Sequence, residues 1–140
     1  MDNGPFIFLA EDDLDDQELL IEAFLNLDNS ISVQSVTNGK KAVSFLENLN
    51  PSQTPCLIIL DYNLPELNGA EILNQLNAME KYNGISKIVW STSRSPVFEK
   101  ICLDLGANAY VVKPNDVSGI NDLAKLMLNM CVIKQDKSET

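Results

Sequence analysis

The chain has no histidine among its 140 residues. That absence removes the commonest general base, the imidazole metal ligands and every Ser/His/Asp or Cys/His triad at once. Cysteine is scarce: Cys56, Cys102 and Cys131 are odd in number and widely spaced, with no CysXaaXaaCys pair. They are expected to be reduced, mostly buried thiols in a reducing compartment, neither a disulfide frame nor a zinc site. No apolar run approaches the length that spans a bilayer, and MetAspAsnGlyPro at the N-terminus lacks the features of a signal peptide. A cytoplasmic protein without membrane contact is the expectation. Positive charge is missing from the start of the chain: no Lys or Arg precedes Lys40, while Asp2, Glu11, Asp12, Asp13, Asp15, Asp16, Glu18 and Glu22 crowd the first 22 residues. With a net charge of −10, direct nucleic-acid binding, which depends on Lys and Arg at phosphate, is excluded. The acid-rich stretch is either a solvated face or an acidic docking surface.

The length allows one domain with a single good core, and 45% hydrophobic residues fit a folded globule rather than a disordered chain. Strand and helix patterns alternate five times. Phe6–Ala10, Ile31–Val36, Leu57–Leu60, Lys87–Trp90 and Ala109–Val112 read as short apolar strands. Between them, Leu19, Leu20, Ala23, Phe24 and Leu27 lie at helical spacing in 14–27, as do Ala42, Val43, Phe45, Leu46 and Leu49 in 40–49. A third helix is expected from Gly69 to about Glu80, and a fourth from Pro96 to Leu105, closed by Gly106. The last, capped by Asp116 or Ser118, reaches roughly Met130. Residues 48–55 form the clearest long loop, and 133–140 a polar, frayed tail after a domain spanning 1–132. Such βα alternation with continuous apolar strands implies an α/β fold, a parallel sheet covered by helices on both faces. Right-handed crossovers leave the flavodoxin-like (βα)5 three-layer sandwich, sheet order 2-1-3-4-5, as the common five-stranded choice.

That order places the loops after strands 1 and 3 side by side, so Glu11, Asp12 and Asp13 should meet Asp61, the acid that ends the third apolar run. Two carboxylates about 4 Å apart repel by roughly 4 kcal/mol at an effective dielectric near 20. Protons or a cation must relieve that repulsion. Asp12 and Asp61 with a backbone carbonyl and waters offer an all-oxygen sphere suited to Mg²⁺ or Mn²⁺. The blander alternative is that Asp12 and Asp13 only cap the first helix and complement its dipole. Ser91 ends strand 4 and Lys113 ends strand 5, just before Pro114. A hydroxyl and an ammonium facing a metal-bound carboxylate make a receptor for phosphate.

These residues resemble the receiver domains of bacterial two-component response regulators, over nearly the whole chain. GluAspAsp at 11–13 is similar to the acidic pair after strand 1. AspTyrAsnLeuPro from Asp61, with Gly69 and Ala70, is similar to the phosphoacceptor turn, and GlyAlaAsnAlaTyrValValLysPro at 106–114 to the strand 5 signature. The separations agree as well, with 30 residues from Asp61 to Ser91, 19 from Ser91 to Tyr110 and 52 from Asp61 to Lys113.

The resemblance implies that Asp61 accepts a phosphoryl group from a sensor histidine kinase or a histidine phosphotransfer protein. Asp12, Asp61 and the Asn63 carbonyl would hold Mg²⁺ or Mn²⁺, with Glu11 acting mainly through a metal-bound water and Asp13 at the helix start. Lys113 and Ser91 would contact phosphoryl oxygens, and Tyr110 would turn inward as Ser91 moves, altering the face formed by helix 4, strand 5 and helix 5. Thr92 and Ser93, with Asn63, would flank the phosphate and influence its lifetime. The implied protein is a phosphoacceptor with self-catalysed transfer and autodephosphorylation rather than an enzyme on other substrates. Having no histidine, it cannot supply its own phosphohistidine.

Two rival classes stay open. A metal-dependent phosphohydrolase with an Asp61 nucleophile often needs a second Asp two residues on, where Asn63 stands. A nucleotide or flavin binder of the same topology lacks its Gly-rich phosphate loop here. With no sequence after the last helix for an output domain, signalling is expected by docking to a downstream protein target, with a homodimer on phosphorylation left open. The first helix, with Asp15, Asp16 and Glu22, is the expected kinase-docking face.

Overall fold

The computed structural model describes residues 5–139, with side chains to Cys131. Asp2 of the acidic run and the side chains of the expected polar tail lie outside the described residues. Five parallel strands stand in the order β2-β1-β3-β4-β5: β1 Phe6–Ala10, β2 Ser32–Val36, β3 Leu57–Asp61, β4 Ser86–Ser91 and β5 Ala109–Val112. The helices are α1 Leu14–Leu27, α2 Gly39–Glu47, α3 Gly69–Leu76, α4 Pro96–Asp104 and α5 Val117–Glu139. This is the flavodoxin-like α/β arrangement expected from the alternation.

The central strands are mostly apolar because both sides are covered, and their side chains alternate between two cores. Phe8, Ala10, Ile58, Leu60 and Val89 pack toward α2, α3 and α4. Ile7, Leu9, Leu57, Ile59, Ile88 and Trp90 pack toward α1 and α5. Each strand therefore ends with its next side chain committed to one side of the sheet.

Local chemistry sets most helix ends. Asp13, Asn38, Asn68 and Ser95 cap α1 to α4 by accepting from the N–H three residues on. Pro96 opens α4, and Gly106, at φ 100°, ends its last turn in the left-handed region that glycine enters freely. Asp116, not Ser118, begins α5, taking the Gly119 N–H at 2.8 Å. Helix ends differ from expectation in places, α2 stopping at Glu47 rather than Leu49. α3 stops at Leu76, where Asn77 turns its amide to the Leu105 carbonyl at 3.0 Å, and a separate short turn over Glu80–Tyr82 buries Tyr82. α5 continues past Met130 to Glu139, since no Gly or Pro interrupts its last turns.

The cysteine expectation is overturned. Cys56, just before β3, and Cys131 in α5 are joined as a disulfide with Cα atoms 5.0 Å apart, inside the span such bonds require. Only Cys102 remains a free thiol among the described residues, buried on the opposite face. Spacing along the chain concealed the pair, because 75 residues separate its members.

Candidate functional site

Asp61 is the last residue of β3, pairs in register with Trp90 and is only 4% exposed. The turn that follows is tightly held. The Asn63 N–H donates to Asp61 Oδ1 at 3.1 Å, and the Gly69 N–H closes the loop on the Tyr62 carbonyl at 3.0 Å. A Cβ at Gly69 would lie 3.0 Å from the Asp61 carbonyl oxygen, a tight contact that glycine avoids as the loop returns to the strand end. Asn63 itself is exposed, and the contact observed is through its N–H.

The loop after β1 brings its acids to the same edge. Glu11, Asp12 and Asp61 each place a carboxylate oxygen within 4.8 Å of the others. Glu11 and Asp61 are buried and Asp12 is exposed. Asp13 does not join them. It caps α1 through Asp16 N–H at 3.0 Å, so the expectation that all three acids meet Asp61 is corrected for Asp13, whose side chain the helix start claims.

Burial pushes the Glu11 carboxyl up to about 8, against the lowering effects of Lys113 and the Asp13 N–H, with Asp61 adding repulsion. Glu11 and Asp61 therefore share a buried pocket that disfavours a second negative charge on Glu11. An all-oxygen donor set under that strain fits a hard divalent cation such as Mg²⁺. It does not fit a thiol-seeking metal.

Lys113 is the counter-charge. Its backbone N–H is tied to the Ser91 carbonyl at 2.8 Å. Its Nζ reaches Glu11 Oε1 at 2.9 Å, Asp16 Oδ2 at 2.9 Å and Asp61 Oδ2 at 3.4 Å. Burial works against the ammonium, yet Glu11, Asp16 and Asp61 more than offset it and hold its pKa above the usual lysine value. The ammonium also lies 4.9 Å from the centre of the Trp90 ring, a cation–π contact.

Asp16 and Trp90 are site residues that sequence reasoning missed. Asp16 belonged to the expected docking face, and its partner lies 97 residues away. Trp90 looked like one more apolar strand residue; its place immediately before Ser91 was the available signal.

A second group sits beside the first. Ser91 is fully buried, and its Oγ accepts from the Ser93 N–H at 3.0 Å. The Tyr110 hydroxyl donates to the Ser93 carbonyl at 2.9 Å, leaving that ring half-buried. Thr92 is exposed between them. Across the Asp61 turn, Tyr62 stacks on Phe98 of α4 with ring centres 4.3 Å apart. The edge thus combines a buried carboxylate, an acid cluster that could hold a cation, a fixed ammonium and a buried hydroxyl. Those are the parts that phosphoryl transfer uses.

Comparison with known proteins agrees. The family model described as "Response regulator receiver domain" matches residues 7–125. The chain is 34% identical over 110 residues to the DNA-binding transcriptional activator EvgA of Escherichia coli K12, covering 76% of this chain and 51% of that protein. It thus spans about half the length of that relative. It is 31% identical over 120 residues to the two-component response regulator ORR11 of Oryza sativa subsp. indica, covering 86% of this chain and 79% of that one. Among solved structures, the phosphorylated cyanobacterial phytochrome response regulator RcpA superposes with a TM-score of 0.83 at 29% identity, covering 91% and 94% of the two chains.

Proposed function

Because the chain belongs to the response regulator receiver domain family of two-component systems, we propose that Asp61 accepts a phosphoryl group from a partner's phosphohistidine. The carboxylate oxygen attacks phosphorus, the P–N bond breaks, and an acyl phosphate forms as the imidazole leaves. The observation that carries this reading is the meeting of Glu11, Asp12 and Asp61 within 4.8 Å beside the Lys113 ammonium. Asp12, Asp61 and the Asn63 carbonyl would hold Mg²⁺ or Mn²⁺, with Glu11 behind them. When bound, the cation supplies positive charge against the oxygens of the transferring group. Lys113 pairs with a phosphoryl oxygen, and Ser91 donates a hydrogen bond to another.

The path outward runs through named bonds. Drawing Ser91 Oγ toward the phosphoryl takes it from the Ser93 N–H, and Ser93 in turn holds Tyr110. Tyr110 then repacks, changing a surface on which Val97, Ile101 and Val117 are already exposed. This is a shift between two packings set by a local charge event, read by a downstream protein target. The donor, a sensor kinase or a phosphotransfer protein, docks on α1, where Leu14 and Leu25 are exposed among Glu18 and Glu22. Thr92, Ser93 and Asn63, around the phosphoryl, tune its lifetime, and location in the cytoplasm follows from this partnership. Among the described residues no helix is long and apolar enough to cross a membrane.

The test is phosphoryl uptake from a small acyl phosphate with Mg²⁺, read by intact mass. One phosphoryl group should be gained, and chelation or Asp61→Asn should abolish the gain. Normal uptake by Asp61→Asn would overturn the reading.

A further inference from the structure

The third partner of Lys113 has no role in the chemistry above. An ammonium has three protons, and Glu11, Asp16 and Asp61 stand at 2.9, 2.9 and 3.4 Å from Lys113 Nζ. Asp16 and Asp61 accept hydrogen bonds from the ammonium and Glu11 lies against it as an ion pair, so a phosphoryl oxygen must compete with three carboxylates to reach it. One partner must give way.

The three are not equally free to do so. The side chains of Glu11 and Asp61 are 0% and 6% exposed, whereas that of Asp16 is 29% exposed. A buried carboxylate that loses the ammonium has no water to replace it. Asp16 has water.

The helix start makes the same point. Asp16 stands three residues after the Asp13 cap, where an acid ordinarily reaches back to the cap's own N–H. In α3 the equivalent residue does so, with Glu71 Oε1 accepting from the Asn68 N–H at 2.9 Å. In α1 the Asp13 N–H goes instead to Glu11 Oε2 at 2.9 Å, and the Asp16 carboxylate turns to Lys113. Asp16 has thus exchanged a capping bond for a charge across the fold, while Asp13 still fixes its backbone through the Asp16 N–H.

We propose that Asp16 is a positioning residue for Lys113, the carboxylate that holds the ammonium until a phosphoryl oxygen on Asp61 takes its place. The inference rests on Asp61 being the phosphoacceptor. It gives Asp16 a definite effect: it competes with the phosphoryl group for Lys113 and so weakens the phosphorylated state.

The experiment is calorimetric titration with beryllofluoride, a phosphoryl mimic, at saturating Mg²⁺. Asp16→Asn keeps size and the capped backbone while removing the charge. It should bind roughly three- to tenfold more tightly than wild type, the range for a partly exposed charge-assisted bond. Asp16→Glu restores the charge and should return affinity to the wild-type value. In a Lys113→Met background, Asp16→Asn should change affinity less than twofold, because the competition runs through the ammonium. Equal or weaker binding by Asp16→Asn overturns the proposal. So does an equal gain in the Lys113→Met background, which would mean direct repulsion. Wild-type protein that binds no beryllofluoride, like Asp61→Asn, overturns the phosphoacceptor reading and this inference with it. Binding by wild type with no effect at Asp16 overturns this inference alone.

Discussion

Two lysines are withdrawn from water at opposite ends of the sheet, and the partners of their ammoniums among the described residues differ in kind. Lys113, after β5, points its ammonium at the carboxylates of Glu11, Asp16 and Asp61. Lys87, near the start of β4, donates to the backbone carbonyls of Tyr82 and Ile85 at 2.7 and 3.0 Å. A carbonyl dipole is fixed once the backbone is folded. A carboxylate changes charge when it takes a proton, a cation or a phosphoryl group. The amino end is therefore a static frame, reinforced by the Cys56–Cys131 bond. The carboxyl end is a set of charges whose balance chemistry can alter.

Opening the disulfide tests that contrast most severely. The bond closes a loop of 75 residues, which in the chain-entropy account stabilises the fold by roughly 4 kcal/mol. Cys56→Ala or chemical reduction should lower the midpoint of urea unfolding accordingly, while phosphoryl uptake at the far end stays intact. An unchanged midpoint in reductant would show that the bond contributes nothing. Lost uptake in a protein that remains folded would show that the two ends are not separable.

The lysines themselves sharpen it next. Lys87→Met takes an ammonium from two buried carbonyls and should cost about 2 kcal/mol or more, the same with or without Mg²⁺. Lys113→Met leaves Glu11 and Asp61 facing each other without their counter-charge, so its cost should be largest in chelator and shrink as Mg²⁺ is added. Paired thermal melts would decide the matter. Equal Mg²⁺ dependence in the two variants would erase the distinction between the ends.

Which parts of this were legible in the sequence follows from the range of the interactions involved. β1, α1's extent and β5 were readable because breakers and caps bound them within a few residues. Asp61, Glu11, Asp12, Ser91 and Lys113 were readable because one topology carries four strand ends to one edge. What was hidden depends on side chains meeting across the fold. Asp16 meets Lys113 over 97 residues and Cys56 meets Cys131 over 75, and neither pair leaves a local pattern. The alternation of Ile58 and Leu60 against Leu57 and Ile59 was masked in the same way, since all four are apolar and only packing tells their faces apart. Topology alone did not separate Asp13 from Asp12; the family resemblance set Asp13 at the helix start, where the α1 cap holds it.

The smallest expected effect lies in the turn beyond Asp61, where the frame and the charged edge meet. Glu66 has φ 75°, and the Leu67 N–H donates to the Pro65 carbonyl at 2.9 Å across it. That is a γ-turn of the positive-φ hand, rare and strained for a residue with a Cβ. The Gly39 N–H holds the same Pro65 carbonyl at 3.0 Å, so α2 keeps the turn in this shape. Glu66→Gly removes the steric cost but lets the unfolded chain roam more widely, and the two effects partly cancel. A net gain of about 0.5 kcal/mol is expected, read as a small rise in the unfolding midpoint. If the turn belongs to the frame, beryllofluoride affinity stays as in wild type while stability rises. A gain in stability accompanied by weaker binding would instead mean that the strain at Glu66 holds the Asp61 loop against the cation site, and the boundary between the two regions would move out to include it.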